Sequence, residues 1–229
     1  MNSMVFYVFG IVLMVISMIV QYRFKSKAKK YSQAGLSNGL SGAEIAKKML
    51  NDNGIYDVQV IHAQGQLTDH YNPMNKTVNL SDEVFHGRSV LAAAVAAHEC
   101  GHAVQHATAY SWLEFRSQMV GPVSIASKYM QWVILAGILL ANSFGTTLLL
   151  VGIGLFTVTT LFTFVTLPVE FDASKRAMAW LTTKNMVRNE ETNGAQDALN
   201  WAASTYVMAA LSSLATLLYY ISIFLSRRD

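Results

Sequence analysis

The hydrophobic positions of this chain are gathered into long blocks that contain no charged residue. These blocks run over Val5–Tyr22, over the 41 residues Tyr129–Val169 and over the 29 residues Ala198–Ser226. An uncharged, mostly apolar block of about 18 residues or more is typical of a membrane-spanning helix. One helix over the whole middle block would be about 61 Å long, about twice the thickness of the hydrocarbon layer. The middle block therefore predicts two spans with a turn at Asn142-Ser143-Phe144-Gly145, and the chain predicts four spans.

The polar segment after the first block predicts a small α+β unit. Ser41-Gly42-Ala43-Glu44 has the form of a capping box, which opens a short helix that ends near Asn53-Gly54. The alternation of Val58-Gln59-Val60-Ile61 predicts a strand, and Gly65-Gln66 can turn the chain back. Thr77–Leu80 is again extended. Such a unit is too small to bury much core alone, so we expect it to lean on the membrane helices.

An alanine-rich stretch predicts one further helix, from Ser89 to about Ser117. Its small side chains at Ala92–Ala97 allow close approach by neighbouring helices. The pattern as a whole predicts a mainly α membrane protein, with about four transmembrane helices and a small α+β unit.

Composition supports the membrane class and excludes several others. Hydrophobic residues make up 52% of the chain and charged residues 14%, where a soluble domain has about a quarter. The net charge is only +3 and no basic cluster is interleaved with aromatic residues, so no nucleic-acid partner is expected. A single cysteine, Cys100, excludes an intramolecular disulfide framework.

The basic residues that follow the first block predict the membrane orientation. They are Arg23, Lys25, Lys27, Lys29 and Lys30. Positive residues are retained on the cytoplasmic side, so we expect residues 23 to about 118 inside the cell and the N-terminus outside. Residues 170–200, with four more basic residues, then return to the cytoplasmic side. Arg227 and Arg228 would lie on the opposite side and count against this orientation.

These patterns divide the chain into five predicted regions. Residues 1–22 form a retained transmembrane anchor, and residues 23–118 form the unit that ends in the alanine-rich helix. Residues 119–168 form a transmembrane hairpin of two spans, and residues 169–200 form a further helix and loop. Residues 201–226 form the last transmembrane helix. We expect a multi-pass protein of the cell membrane.

The pentad His98-Glu99-Cys100-Gly101-His102 carries the most specific chemistry in the sequence. On a helix, positions four apart lie on one face, so His98 and His102 can bind one metal ion. Glu99 lies close enough to the first histidine to reach a metal-bound water. Cys100 is about 200° around the helix from His98 and is expected to pack away from the metal.

A catalytic zinc site needs a third protein ligand and leaves a fourth position for water. His106 is about 12 Å along the helix from His98 and cannot share its metal, so we interpret it as a helix-end residue. The remaining candidates are histidines upstream and two acidic residues downstream. They are His62, His70, His86, Glu170 and Asp172.

Glu170 is the preferred third ligand, and Asp172 is the weaker candidate. Thr166 can cap and Pro168 suits a first turn, so a helix is expected to begin there and to continue through Trp180. In that first turn an acidic residue could instead have no metal to bind and only interact favourably with the helix dipole. The two predicted spans between Glu170 and the pentad return the chain to the same side of the membrane.

Four segments together resemble a known family, the neutral membrane zinc metallopeptidases of the YugP type. Together with the predicted spans they cover nearly the whole chain in order, and the Asp-His-Tyr-Asn-Pro stretch is much more specific than the pentad alone. The segments are Ser41-Gly42-Ala43-Glu44, Leu67-Thr68-Asp69-His70-Tyr71-Asn72-Pro73, Ala97-His98-Glu99-Cys100-Gly101-His102-Ala103-Val104-Gln105 and Leu167-Pro168-Val169-Glu170-Phe171-Asp172-Ala173-Ser174.

The resemblance implies a multi-pass zinc endopeptidase of the gluzincin kind, with a zincin-like unit and one Zn²⁺ per chain. It implies His98 and His102 as ligands, Glu99 as the catalytic carboxylate and Glu170 as the third ligand. The wider group of membrane-bound quality-control zinc proteases has an Asp four positions after that glutamate. Here the corresponding residue is Ser174.

Zinc peptidases of this type commonly hold the substrate as a strand added to a sheet edge just before the metal helix. His70–Leu80 occupies that place, so Tyr71, Thr77 and Val78 are candidate substrate-binding residues. His70 or Tyr71 could also donate to the oxyanion. The expected partners are a peptide or protein substrate, membrane proteins among them, and the lipid bilayer.

Two other interpretations of the pentad compete with a boundary peptidase. In an intramembrane metalloprotease the pentad would lie inside a span, and a later span would supply an aspartate. The predicted spans contain no aspartate, and Arg88, Glu114 and Arg116 flank the metal helix. In a non-catalytic membrane scaffold the site would be structural, and such a site has no need of Glu99.

Overall fold

A computed structural model of the chain describes residues 3–140 and 143–227. The helices are α1 (Ser3–Ser32), α2 (Gly42–Asp52), α3 (Asp82–Phe85), α4 (Val90–Ala107), α5 (Ser111–Leu139), α6 (Ser143–Thr183) and α7 (Glu190–Ser226). The strands are β1 (Gln59–Ala63), β2 (His70–Asn72) and β3 (Thr77–Ser81).

Four of these helices are long and apolar enough to cross a membrane. The candidate spans are Val8–Ser32, Ser111–Leu139, Phe144–Thr183 and Glu190–Ser226. The predicted fold class is confirmed: a mainly α membrane protein with a small α+β unit. In the predicted turn, Ser143, Phe144 and Gly145 already belong to α6, and Asn142 lies outside the described residues.

The chain forms two compact units. The first contains the described residues within 1–20, 115–167 and 205–229, and the second contains residues 21–114 and 168–204. The first unit has a small core of Ile134, Leu149, Ile153 and Leu217. Between its helices α6 and α7, the hydroxyls of Thr160 and Ser213 form a 2.8 Å hydrogen bond.

The second unit is organised around α2, α4 and a three-stranded sheet. The capping box of α2 is present: the Ser41 hydroxyl accepts from the Glu44 amide, and the Glu44 carboxylate accepts from the Ser41 amide. Side chains of α2 such as Ile45 and Met49 are buried beside the alanines of α4. The same core also includes residues of α6 and α7.

A chain that turns back after β1 would most simply pair β1 with β2, but the strand order is different. Gly65 has a left-handed φ of +103°, but the order of the sheet is β1-β3-β2. The central strand β3 is parallel to β1 and antiparallel to β2. The tight turn at Pro73–Lys76 pairs β2 with β3, so β2 is the edge strand beside α4.

The metal helix is shorter than the predicted helix from Ser89 to about Ser117. Ser89 caps it as expected, but α4 ends at Ala107 and α5 begins at Ser111. Ala109 has a left-handed φ of +50°, which a continuing α-helix does not allow. The amide of Tyr110 donates to the carbonyl of Gln105, which closes the C-terminal turn of α4.

The expected start of a new helix at Thr166 and Pro168 is also wrong. Helix α6 is continuous from Ser143 to Thr183 with Pro168 inside it. The Thr166 hydroxyl caps no helix, since it donates to the carbonyl of Phe162 one turn earlier. Glu170 consequently lies well inside a helix and not in a first turn, so a role limited to the helix dipole does not apply.

Candidate metal centre

Helix α4 presents the two histidines of the pentad on one face. They are four residues apart, and their ring centroids lie 4.8 Å apart with the planes nearly perpendicular. His102 is buried and His98 is partly buried. Apart from Val95, the residues of α4 from Ala92 to Ala97 are buried alanines, so the helix lies close to its neighbours. Helix α4 is not among the four candidate spans, whereas Glu170 lies within the candidate span Phe144–Thr183.

Glu170 completes a group of three donors with these histidines. Its Oε2 lies 3.3 Å from His98 Nε2 and 3.7 Å from His102 Nε2. Two atoms bound to one tetrahedral zinc at about 2.0–2.1 Å lie about 3.4 Å apart. The observed separations therefore fit one zinc ion, and two histidines with a glutamate form a donor set found in catalytic zinc sites.

A glycine allows the two helices that carry this site to approach. A Cβ added to Gly101 would lie 2.6 Å from the carbonyl oxygen of Ala173, which is backbone and cannot rotate away. Gly101 is the fourth residue of the pentad, and Ala173 is one turn beyond Glu170. The absence of a side chain at this position is what brings the carboxylate within reach of both imidazoles.

The Nδ1 atoms of the two histidines have separate partners. His98 Nδ1 lies 3.0 Å from the hydroxyl of Ser174. His102 Nδ1 lies 3.0 Å from Oε1 of Gln105, which is completely buried. A metal-binding histidine usually donates its second N–H to such a partner, which fixes the ring and its tautomer.

Gln105 is a site residue that sequence reasoning missed. Its amide nitrogen donates to the Val169 carbonyl and to the Asp172 carboxylate, both at 2.8 Å. These two groups can only accept, so the Gln105 carbonyl oxygen must face His102, whose Nδ1 then carries the proton. The available signal was its spacing, since Gln105 is one turn after His102 and therefore on the same helix face.

Asp172 thus supports the site without belonging to the group of three donors. Its carboxylate also accepts from Arg176 Nε at 2.6 Å. The Asp172 side chain faces a different partner from Glu170, as the two-residue offset on a helix predicts. Our weaker candidate for the third ligand is therefore bonded to Gln105 and Arg176.

The charges around His102 favour its protonated form in the metal-free protein. Burial alone would lower the pKa of His102, but the hydrogen bond to Glu170 and the negative charges of Glu99 and Glu170 outweigh it. The net result is a pKa raised above the ordinary value of 6.5. A site that attracts a proton in this way also attracts a metal cation to the same nitrogen.

Glu99 is buried beside the candidate metal site and bonded to the edge strand. Its Oε2 accepts a 3.0 Å hydrogen bond from the backbone N–H of Tyr71. The hydroxyl of Tyr71 lies 2.8 Å from Nδ1 of His106, in the last turn of α4. His70, in contrast, is exposed, and its Nδ1 lies 2.7 Å from the Thr68 carbonyl.

The other predicted site residues lie apart from the group of three donors. Thr77 and Val78 are buried in β3, whose two edges are occupied by β1 and β2. They therefore present no free edge to a substrate strand. His62 and His86 lie together near Asp82, at 3.3 Å and 3.8 Å from its carboxylate.

Cys100 packs away from the site, as the helix geometry predicts. It is completely buried in the core of the second unit, and its thiol lies 3.5 Å from the Ala46 carbonyl. Burial raises the pKa of this thiol, with a smaller contribution from Glu99. Cys100 is therefore a packing residue and not a nucleophile.

Comparison with known proteins gives two matches that cover nearly the whole chain. Residues 6–225 match the family described as "Putative neutral zinc metallopeptidase". The chain is 44% identical over 216 residues to the "Putative membrane protease YugP" of Bacillus subtilis (strain 168). That alignment covers 93% of this chain and 94% of the relative. No solved structure matches.

Proposed function

Because the chain belongs to the putative neutral zinc metallopeptidase family, we propose that it is a membrane-embedded zinc endopeptidase. It belongs to the hydrolases and, in this proposal, cleaves peptide bonds in proteins. The observation that carries the proposal is the convergence of His98, His102 and Glu170 at separations that fit one zinc ion. The residues around them leave both Nε2 atoms directed at the same carboxylate oxygen.

Bound zinc supplies Lewis-acid chemistry, which polarises a carbonyl and lowers the pKa of a water molecule towards about 7. Ser174 and Gln105 hold the two imidazoles so that each Nε2 lone pair is available. Glu170 adds a negative charge to the donor set. These residues bind and orient, and none of them needs to move a proton.

Glu99 is the residue that moves the proton in this proposal. Its carboxylate follows the first ligand directly and is buried, so it is held beside the site and shielded from bulk water. It accepts a proton from the attacking water and delivers it to the leaving amine. A structural metal site has no use for a buried carboxylate in this position, so Glu99 favours a peptidase over a scaffold.

The proposed substrate is an extended segment of a protein, bound near strand β2. The strand lies beside α4 at one edge of the sheet, whereas the central strand offers no free edge. His70 remains a candidate donor to the oxyanion, because its exposed ring can turn. With four candidate spans in the same chain, membrane proteins and their cytoplasmic loops are the proposed class, as in quality control.

Cleavage by the Glu99→Gln variant tests this proposal. Wild-type protein purified in detergent and loaded with zinc should cleave an unfolded protein substrate, and Glu99→Gln should retain its zinc and lose activity by at least about 1,000-fold. Equal cleavage by both proteins would refute the role of Glu99. A wild type that binds zinc and cleaves no substrate, while a partner protein depends on it for assembly, would support the scaffold.

A further inference from the structure

Tyr71 of the edge strand β2 is hydrogen-bonded to the metal helix α4. Its backbone N–H donates to Glu99 Oε2 at 3.0 Å, and its hydroxyl lies 2.8 Å from His106 Nδ1. Glu99 and His106 are seven residues apart, so they lie on the same face of α4 and about 10 Å apart along it. Tyr71 therefore contacts that face at two points.

The direction of the Tyr71 amide decides what this residue can do. In the antiparallel register Tyr71 is opposite Val78, yet its N–H points to Glu99 and not to β3. The N–H on the outer edge of β2 is thus already used by the catalytic carboxylate. It is not free to pair with a substrate strand, which argues against a simple substrate-binding role for this amide.

The hydroxyl of Tyr71 also has a partner, the ring of His106. The side chain is partly buried, and burial together with the charge of Asp57 raises its pKa, so the hydroxyl keeps its proton near neutral pH. The ring centroids of Tyr71 and His106 lie 5.9 Å apart, which is contact distance for two rings. His106 is otherwise an exposed residue in the final turn of α4.

We propose that Tyr71 and His106 form a positioning pair for the catalytic carboxylate. His106 holds the Tyr71 hydroxyl, the tyrosine holds strand β2 against α4, and the Tyr71 amide holds one oxygen of Glu99. The other oxygen of Glu99 is then left to face the attacking water. The inference rests on the proposed peptidase function for its catalytic consequence but not for the contact itself.

A double-mutant cycle tests the catalytic consequence. In zinc-loaded protein, Tyr71→Phe and His106→Ala should each lower kcat about three- to tenfold with little change in KM, and the double variant should be no worse than either. Such non-additivity identifies one shared interaction. A direct donor to the oxyanion would instead make Tyr71→Phe about 100-fold worse while His106→Ala stayed near wild type, and that result would overturn the pair.

Hydrogen exchange tests the contact independently of activity. The amides of residues 70–72 should exchange about tenfold faster in Tyr71→Phe and in His106→Ala than in wild type, while zinc content stays at one per chain. His86→Ala, which removes another exposed histidine of the same unit, is the matched control and should leave β2 unchanged. Unchanged exchange in both test variants would overturn the proposal.

These two readouts separate the inference from the proposed function. If zinc-loaded wild type does not cleave substrates, the peptidase proposal fails and the exchange rates still decide whether Tyr71 and His106 hold the strand. If the wild type is active and Glu99→Gln is not, but the losses from Tyr71→Phe and His106→Ala add, only the positioning pair is refuted.

Discussion

At the residue scale, the partners of the two histidines differ in kind. His98 faces the neutral hydroxyl of Ser174, whereas His102 faces the amide of Gln105. That amide donates to the Asp172 carboxylate, which also accepts from Arg176. Charged side chains are therefore linked by hydrogen bonds to Nδ1 of His102, but not to Nδ1 of His98. The sequence indicated the ligands through their spacing, but these supporting contacts depend on how α4 and α6 pack, which spacing alone does not specify.

Removal of the Ser174 hydroxyl should weaken metal binding without unfolding the protein. Ser174→Ala deletes one oxygen and leaves His98 without a partner for Nδ1, so we expect about a tenfold loss of zinc affinity. Competition with a chelator of known affinity measures it. Thr182→Ala is the control, because the Thr182 hydroxyl donates to the backbone carbonyls of Met178 and Ala179 in α6 and not to a ligand of the site. Equal affinities of Ser174→Ala and wild type would contradict this account of the site.

The raised pKa of His102 predicts opposite effects of pH on the metal-free and zinc-loaded protein. Folding favours the protonated imidazole, so its stabilising effect is present below pH 6.5 and is lost as the pH rises through the raised value. Zinc requires the neutral ring, so its affinity falls as the pH falls through the same value. Thermal unfolding at about pH 6 and about pH 8 measures both effects. From the lower to the higher pH, the metal-free protein should become less stable, and the extra stability that zinc gives should increase.

The control for this pH effect is His102→Gln, which has no titrating group at the position. The difference between its stability and that of wild type should vary with pH in the metal-free state. A difference that stays constant across the range would contradict the assignment to His102.

At the element scale, the sequence predicted elements whose signals are local. The capping box at Ser41 is present, and the four spans predicted from the uncharged blocks match four helices long and apolar enough to cross a membrane. The two wrong helix boundaries, near Ala109 and Pro168, depend on context. A residue with a β-carbon at positive φ ended α4, and a proline in a long helix was tolerated, which costs one backbone hydrogen bond but does not force a break.

Gly101 affects both the packing of α4 against α6 and the geometry of the metal site. In Gly101→Ala the new methyl group would collide with the backbone of Ala173, so α4 and α6 must separate. We expect a loss of about 1–3 kcal/mol in the free energy of unfolding and a large loss of zinc affinity, since Glu170 moves with α6. Both are measurable on the same detergent-purified sample.

Gly154→Ala provides a matched control, because a Cβ there would meet nothing within 4 Å. It lies inside α6, where alanine is the better helix former. This variant should keep its zinc and be at least as stable as wild type. Wild-type zinc affinity in Gly101→Ala would show that the close approach is not required.

At the scale of the whole molecule, the orientation in the membrane is still a prediction from basic residues. Arg227, which counted against it, donates to the carbonyls of Gly137 and Ile138 at 2.6 Å. This arginine therefore caps the C-terminal end of α5, which gives it a structural reason to be there. Arg228 lies outside the described residues.

A single introduced cysteine tests that orientation. Cys100 is completely buried and should not react, so Met74→Cys places the one accessible thiol on an exposed turn of the second unit. A membrane-impermeant maleimide should label it only after the cells are permeabilised. Labelling in intact cells would place this unit outside and reverse the predicted orientation.

We propose that His98 and Glu170, 72 positions apart in the chain, bind the same zinc ion. Zinc per chain, measured in detergent-purified wild type beside His98→Ala, Glu170→Ala and the exposed control Glu83→Ala, tests it most directly. The account predicts about one zinc in wild type and in Glu83→Ala, and its loss or strong weakening in both site variants. Full zinc retention in Glu170→Ala would contradict the account, as would a folded wild type that binds no zinc.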